Sequence, residues 1–323
     1  MRLVRYHEHG GPEVLLVENA DVPSPADTEI LIQVEAVGVN FIETQLRRGK
    51  APFPSPLPGV PHGDVVGRIE GVGAEVTNLV AGDRVVAWIV QAAYADYVVV
   101  DAAQAMVIPE SFDAAAATVL ASTAQVAVSV LQIGQVKPGE TVVVHAAAGA
   151  IGHLVVQLAK IHGVRTVIGT VGSSAKRDFV LAQGADAVVS YESDGWPDQV
   201  RELTGGVDVV LDSVEGKVFQ PSLALLKPYG RLVYYGFAGA TGGLAQLSVS
   251  DLFGLKCVVG AAFDVWLGSD PEGAAKARAD LVEYMLTGQL RPAVHARVPL
   301  DEVADAQRII EDRAQLGRVV LVP

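Results

Sequence analysis

Apolar and polar positions follow two different rhythms along this chain. Over the first hundred residues, short runs rich in Val, Ile, Leu and Tyr alternate with turn residues: Leu3 to Tyr6, Leu15 to Val17, Glu29 to Val39, Val65 to Val72, Arg84 to Val90 and Tyr94 to Val100. Runs of this length and composition between Gly, Pro, Asn and Asp predict strands, so this part reads as a mostly β module. Between two of them lies Leu46 to Gly63, five prolines in eighteen residues, which predicts a loop. From Ser111 onward the pattern turns to an Ala-rich helix and then alternates. Strands are predicted at 141–145, 164–169, 186–190, 207–211, 231–235 and 256–261, with helices at 151–162, 174–183, 197–204 and 217–226. Strands interleaved with helices in this way predict a parallel, doubly wound α/β sheet. The last sixty residues predict a helix (Ala274 to Thr287), a strand near His295 to Val298, a helix (Glu302 to Arg313) and a strand (Arg318 to Val322). Six strands already complete a doubly wound sheet, so these final elements are expected to return to the first module. The expected division is therefore 1–122 with 262–323 for the β-rich domain and 123–261 for the α/β domain.

The first strand and helix of the alternation carry the clearest chemistry. Thr141 to Val144 is a β-branched apolar run, Ala147-Ala148-Gly149-Ala150-Ile151-Gly152 is a turn of small residues, and His153 to Gly163 has helical apolar periodicity. A helix start of this kind offers free backbone N–H groups and the positive end of the helix dipole to an anion. Gly149 allows close approach by a pyrophosphate and Gly152 allows the helix to pack closely on the strand. The first position of the usual G-x-G-x-x-G is Ala147. The expected ligand is a dinucleotide. A NAD-preferring site carries an acidic residue about 20 residues further on, at the end of the second strand. Here that stretch is Ile168 to Asp178, where Gly172, Ser173 and Ser174 lead into Lys176 and Arg177. Small donors followed by cations suit the 2′-phosphate of NADP(H), although Ser173 or Ser174 as a helix N-cap with solvated cations fits the same residues.

Composition narrows the partners. With 24 Lys and Arg against 37 Asp and Glu the formal charge is −13, which argues against a phosphate-backbone partner. The single Cys257 permits neither an intramolecular disulfide nor a thiolate metal cluster. The N-terminal MRLVRYHEHGGPE lacks signal-peptide features, so a cytoplasmic location is expected. Ala114 to Val136 has 23 residues without a charge, long enough to span a bilayer. Its Ser, Thr and Gln content favours a buried helix of a soluble protein instead, and no membrane partner is expected.

In order, Val37 to Gly49 (VGVNFIETQLRRG), Ala81 to Val86 (AGDRVV), His145 to Gly152 (HAAAGAIG), Ile168 to Arg177 (IGTVGSSAKR), Val207 to Val214 (VDVVLDSV) and Leu226 to Gly236 (LKPYGRLVYYG) resemble the medium-chain dehydrogenase/reductase superfamily. Within it the chain is similar to the zinc-independent NADPH:quinone oxidoreductases, the zeta-crystallin-like branch, over essentially its whole length. The resemblance implies a GroES-like mostly β catalytic domain beside a Rossmann domain, and a homodimer. It implies that Asn40 lines the active-site cleft and bonds a carbonyl oxygen, and that Thr123 contacts the nicotinamide. Gly149, Ala150, Ile151 and Gly152 would hold the pyrophosphate, and Gly172, Ser173, Lys176 and Tyr191 would surround the 2′-phosphate, Tyr191 serving equally well as a strand-end cap. Ser213, Gly236, Phe237 and Ala238 follow strands at the ligand-binding edge. Arg318 resembles a residue near the cofactor phosphates, with a surface cation as the other reading. Asp64 reads as a surface or turn carboxylate, with a residue that orients the cleft as the other reading, and His145 reads as a packing or capping residue.

In zinc-dependent relatives a Cys, a His before an acid, and a further Cys or acid hold the metal. The resembling positions here are Asn40 and Gly63, with His62 one residue early and so expected on the opposite face of an extended segment. The aromatic residues that similar quinone reductases carry near the substrate are also absent, Gln45 and Ala51 standing at the resembling positions. The expectation is metal-free hydride transfer from NADPH to a quinone or similar conjugated carbonyl, an acceptor that delocalises the arriving charge. An NADPH-dependent reductase of enone, alkenal or enoyl double bonds is the alternative. A cofactor-binding sensor or structural protein without turnover is the alternative of another class.

Overall fold

In the computed structural model, which describes residues 1–51, 53–239 and 245–323, the chain forms two compact units. The first runs from Met1–Thr123 and resumes at Pro292–Pro323, and the second is Ala124–Arg291. The N-terminal boundary falls one residue from the expected one. The C-terminal boundary lies 30 residues later than expected, because two helices after the last sheet strand stay with the second unit.

In chain order the first part contributes β1 (Arg2–Arg5), β2 (Leu16–Asn19), β3 (Glu29–Gly38), the helix α1 (Phe41–Arg47), β4 (Gly63–Val72), β5 (Arg84–Ile89), β6 (Tyr97–Asp101), β7 (Met106–Val107) and a single turn α2 (Ala114–Ala117). There follow α3 (Thr123–Ile133), β8 (Thr141–Val144), α4 (Gly152–Ile161), β9 (Thr166–Val171), α5 (Arg177–Ala182), β10 (Ala187–Ser190), α6 (Trp196–Thr204), β11 (Val207–Asp212), α7 (Phe219–Leu225), β12 (Leu226–Tyr234), β13 (Cys257–Gly260), α8 (Phe263–Ser269) and α9 (Pro271–Leu286). The chain ends with β14 (Val294–Pro299), α10 (Val303–Glu311) and β15 (Arg318–Val322).

The first unit is built on a sheet of order β14-β15-β3-β4-β5-β7, with β6 also pairing β3, and β1 pairs β2 beside it. Its core joins Val34, Val37, Val65, Val85 and Tyr94 to Val319, Leu321 and Ile310 from the C-terminal return. β15 sits antiparallel on β3, with Val320 opposite Gly38, while β3 in turn places Gly38 opposite Asp64 of β4. Three strand ends thus meet at Gly38, Asp64 and the start of β15. The helix α1 goes beyond the elements expected from sequence. Its polar Glu43, Thr44 and Arg47 are buried while Phe41 and Ile42 are only half-buried, so its pattern lacks the apolar stripe that normally announces a helix.

The second unit is a six-stranded parallel sheet of order β10-β9-β8-β11-β12-β13. The β-branched β8 is buried at all four positions, as expected of a central parallel strand covered on both faces. Behind it α4 packs Leu154 and Leu158, one turn apart and both fully buried; truncating either to Ala costs about 2–5 kcal/mol. α8, a second element beyond those expected, is short and buries only Trp266, whose indole N–H donates to Gln132 of α3 at 3.1 Å. Arg291, beyond α9, exchanges two backbone hydrogen bonds with the Gln157 amide of α4, at 2.8 and 3.1 Å. These contacts hold α8 and α9 on the second unit. The apolar run Ala114–Ile133 is 78% buried, in line with its Ser, Thr and Gln content.

Candidate active site

The first unit gathers a charged cluster at the ends of β3, β4 and β15. Asn40 follows β3 and stands at the N-cap of α1, yet its side chain makes no capping bond. Its amide is committed elsewhere: Oδ1 accepts from Arg318 Nη1 at 2.7 Å, and Nδ2 donates to Asp64 Oδ2 at 3.3 Å. Arg318 Nη2 donates to the same carboxylate oxygen. Ser122 and Thr123 add hydroxyl donors to Asp64, at 2.5 Å to Oδ1 and 3.2 Å to Oδ2. Asp64 and Arg318 are both fully buried. The reading of Asp64 as a surface or turn carboxylate is therefore overturned, and so is that of Arg318 as a surface cation. Gly38 makes this possible, since a Cβ there would lie 1.9 Å from Arg318 Nη2.

The cluster's electrostatics follow from burial. A buried carboxylate needs both a counter-charge and hydrogen bonds, and Asp64 has a guanidinium, an amide and two hydroxyls. Because Thr123 spends its proton on Asp64, its oxygen presents lone pairs. Asn40, half-buried, keeps a second amide proton beyond the one given to Asp64. Zinc does not suit this donor set. The oxygens of Asn40 and Asp64 already hold a fixed cation, neither thiolate nor imidazole joins them, and among the described residues no group of three His, Cys, Asp or Glu is arranged to bind a metal.

One further group, Glu43, escapes the sequence signals, and it stands beside His62. Glu43 of α1 is 3% exposed, its Oε2 accepts the His62 backbone N–H at 2.8 Å, and its Oε1 has no hydrogen-bond partner among the described residues. Burial, with the Asp64 charge adding to it, pushes this carboxyl up to about 8. The His62 ring lies beside it, Nδ1 being 3.5 Å from Oε1, and burial lowers the imidazole from its ordinary value. Only a buried polar face on a helix could have signalled Glu43.

In the second unit the turn after β8 is organised by backbone bonds from His145 N–H to Leu211, Ala147 N–H to Thr170 and Gly149 N–H to Ala146. The N–H groups of Ala150, Ile151 and Gly152 take no acceptor among the described residues, and they sit at the start of α4. A Cβ on Gly152 would lie 2.3 Å from the Ala146 carbonyl oxygen, so this position is closed to any side chain. A dinucleotide pyrophosphate fits the combination of free donors and a positive helix end. His145 is a packing residue, as read from sequence. Ser222 gives its proton to the Val218 carbonyl, so Nε2 of His145 donates to Ser222 at 2.7 Å and Nδ1 accepts from Thr170 at 2.6 Å.

β9 ends at Val171, the segment after it carries Gly172, Ser173 and Lys176, and Tyr191 follows the end of β10. Tyr191 N–H donates to the Val171 carbonyl, and its ring lies over Gly172, where an added Cβ would be 3.3 Å from Cε2. Ser173 is the N-cap, accepting from the Ala175 N–H at 3.4 Å. Arg177, the second cation of the motif, turns away to the Val188 carbonyl at 2.7 Å. Glu192, which no sequence signal singles out, accepts from the Ser174 N–H at 3.3 Å and puts a negative charge beside this loop. Beyond β11 and β12, the Ala238 N–H donates to the Ser213 carbonyl at 3.1 Å, and Gly236 fits where a Cβ would come within 2.9 Å of that oxygen. Ser213, Gly236, Phe237 and Ala238 are thus assembled at the carboxyl edge of the sheet.

Comparison with known proteins agrees with both halves. Residues 26–110 match the alcohol dehydrogenase GroES-like domain and residues 150–271 the family described as zinc-binding dehydrogenase. Quinone oxidoreductase 1 of Escherichia coli is 33% identical over 99% of each chain. A mycobacterial protein solved in complex with NADPH superposes with a TM-score of 0.92 at 34% identity, and the Escherichia coli quinone oxidoreductase complexed with NADPH with 0.90 at 30%, each covering all of both chains. With a GroES-like unit, a Rossmann unit and full-length likeness of this degree, the chain belongs to the quinone oxidoreductase family of the medium-chain dehydrogenase/reductase superfamily.

Proposed function

We propose that the protein is a zinc-independent oxidoreductase that transfers hydride from NADPH to a quinone or similar conjugated carbonyl. The observation that carries the reading is the Asn40–Asp64–Arg318 cluster, in which a guanidinium stands with the carboxylate and an amide is left to meet the acceptor. NADPH, when bound, supplies the hydride. The chain's own residues bind, orient and polarise. The free N–H groups of Ala150, Ile151 and Gly152 hold the pyrophosphate, with Gly149 allowing the approach. Gly172, Ser173, Lys176 and Tyr191 take the 2′-phosphate, and the loop with Ser213, Gly236, Phe237 and Ala238 borders the cofactor. Thr123 offers its lone pairs to the carboxamide. Asn40 donates its second amide proton to the carbonyl oxygen on which charge develops, a donor fixed in place before reaction. Arg318, with no exposed side-chain surface, serves this step by holding the Asn40 amide rather than by reaching a phosphate.

A donor set unsuited to zinc matches a conjugated acceptor, which spreads the incoming charge over its own π system. A homodimer belongs to the same reading: β13 is a terminal strand with exposed Cys257 and Gly260, an open edge that pairing would cover. A single exposed thiol fits a reducing, cytoplasmic setting. The test is NADPH and NADH oxidation against a quinone panel and an enone panel, with elemental analysis and light scattering on the same preparation. Turnover of neither panel, stoichiometric zinc, or a monomer would each remove the corresponding part.

A further inference from the structure

Glu43 and His62 lie outside the set that binds and polarises in this reading, yet they adjoin it. Glu43 begins one turn after Asn40 on α1. His62 directly precedes β4, whose second residue is Asp64, and Glu43 meets both, accepting the His62 N–H and feeling the Asp64 charge. Asn40, Ser122 and Thr123 donate to that same Asp64. Glu43 is sealed from water, while the His62 side chain is 30% exposed. A buried carboxyl with one oxygen held by a backbone N–H and the other unpartnered, aimed at a half-exposed imidazole, is the layout of a proton store with an outlet. Structure alone gives no other use for that second oxygen, since packing would be served as well by a neutral apolar group.

Resting on the quinone-reductase reading, we propose that Glu43 stores the proton that completes reduction and that His62 delivers it to the acceptor oxygen. Hydride addition to a quinone leaves a hydroquinone monoanion. In the delivery step the Nε2–H bond of His62 breaks as the hydroquinone O–H bond forms, while the proton on Glu43 Oε1 passes to Nδ1. Glu43 is left as a carboxylate and His62 neutral. A solvent proton then returns through the exposed ring to Glu43. Passage needs the ring to close from 3.5 Å to hydrogen-bond distance, a movement of about 0.7 Å. His62 would be the catalytic residue and Glu43 a positioning and storage residue behind it.

The surroundings suit storage at neutral pH. Asp64 faces Glu43 and raises its affinity for a proton, though Arg318 tempers that charge. The phenols of Tyr6 and Tyr94 are both held above their ordinary range and stay neutral. Arg47, on the same helix, is turned to Gln307, Gly10 and Glu311. The Glu43 carboxyl therefore retains its proton up to about pH 8 and His62 is neutral there.

The test is steady-state turnover of NADPH with 1,4-benzoquinone from pH 6 to 9.5 for the wild type, E43Q, E43D and H62N. The wild type is expected to lose kcat as pH rises through about 8. E43Q is expected to fall about 100-fold at pH 7, the low end of a general-acid contribution, to lose the alkaline limb, and to keep its KM for NADPH. E43D should regain part of the rate and the limb. H62N keeps the backbone N–H that Glu43 accepts, so it tests the outlet even where E43Q fails to fold, and it should show the same loss. Wild-type pH profiles in E43Q or H62N, or losses that merely track NADPH binding, overturn the inference while leaving the reductase reading intact. A wild type inactive on every quinone overturns both.

Discussion

Substituting Glu43 by Gln separates the energetic cost of this carboxyl from any part it plays in turnover. Gln is nearly isosteric, and its carbonyl oxygen can accept the His62 N–H that Glu43 Oε2 accepts now. In the folded protein the carboxyl titrates near 8, against an ordinary value of 4.5 that the unfolded chain shares. Below pH 4.5 both states bind the proton and the group contributes nothing to the pH dependence. Between 4.5 and about 8 the unfolded chain releases a proton that the native state keeps, so stability falls as pH rises. Above about 8 both states have released it and the loss is complete. Holding the proton over that pH range is worth about 1.4 kcal/mol per pH unit, so the full loss is on the order of 5 kcal/mol, an upper bound where water reaches the site. E43Q lacks this contribution. The difference in unfolding free energy between E43Q and the wild type, from urea titrations of the same transition at pH 5, 6.5, 8 and 9, should therefore grow in favour of E43Q up to pH 8 and then level off. Other titrating groups cancel in the difference. A flat difference across that range would refute the argument, because it would mean that Glu43 is ionised in the native state or hydrated.

Three other substitutions probe the remaining parts. Lys176→Ala should weaken NADPH binding by about 1–3 kcal/mol, the scale of a lost charged hydrogen bond, and leave NADH nearly unchanged; isothermal titration with both cofactors checks it, and equal losses would contradict the 2′-phosphate assignment. Gly152→Ala forces a Cβ to 2.3 Å from the Ala146 carbonyl oxygen and 2.8 Å from the Ala147 Cα, both backbone atoms. It should destabilise the second unit by about 1–3 kcal/mol and weaken both cofactors alike, read by thermal unfolding and the same titrations. Arg318→Met strands the buried Asp64 charge, so a loss of about 3–5 kcal/mol in stability is expected. Asp64→Asn in the same background should recover much of it, and failure to recover would mean that Arg318 acts through something other than Asp64.

The parallel sheet and the glycine turn are legible in the sequence because their signals are local. Val142, Val143 and Val144 announce a buried strand by themselves, and Gly149 and Gly152 mark the turn by what they lack. The seat of Asp64 is not legible, because its burial depends on Arg318, 254 positions away, and on Gly38 leaving room between them. A single carboxylate after a proline-rich loop looks like a surface group until the strand that brings its counter-charge is in place. The same limit hides α1. Glu43, Thr44 and Arg47 face inward there, so the helix runs against the usual apolar pattern, and the partners of Glu43 and Arg47 come from elsewhere in the chain. The Gln157 amide that meets the Arg291 backbone at the end of the second unit is likewise a contact with no trace in periodicity.

The place of His62 bears on more than metal binding. Gly63 resembles the position where zinc-dependent relatives carry a histidine, and a Cβ there would lie 2.6 Å from the Val37 Cγ1 and 3.2 Å from Ala93 and Tyr94, so a ring at that position would displace packed side chains. The β3–β4 pairing sets Asp64 opposite Gly38, and the missing side chain of Gly38 admits the Arg318 guanidinium. A guanidinium is a delocalised cation with no vacant coordination position, so it can fix the Asn40 amide but cannot itself polarise a carbonyl as a metal does. The imidazole moved to position 62 meets Glu43 instead. In the proposed reading, what a zinc site would supply from one ion, charge stabilisation and control of a proton, is divided between an amide held by Arg318 and a carboxyl held beside His62. An acceptor that carries part of the charge on its own conjugated system is what such a divided site can serve.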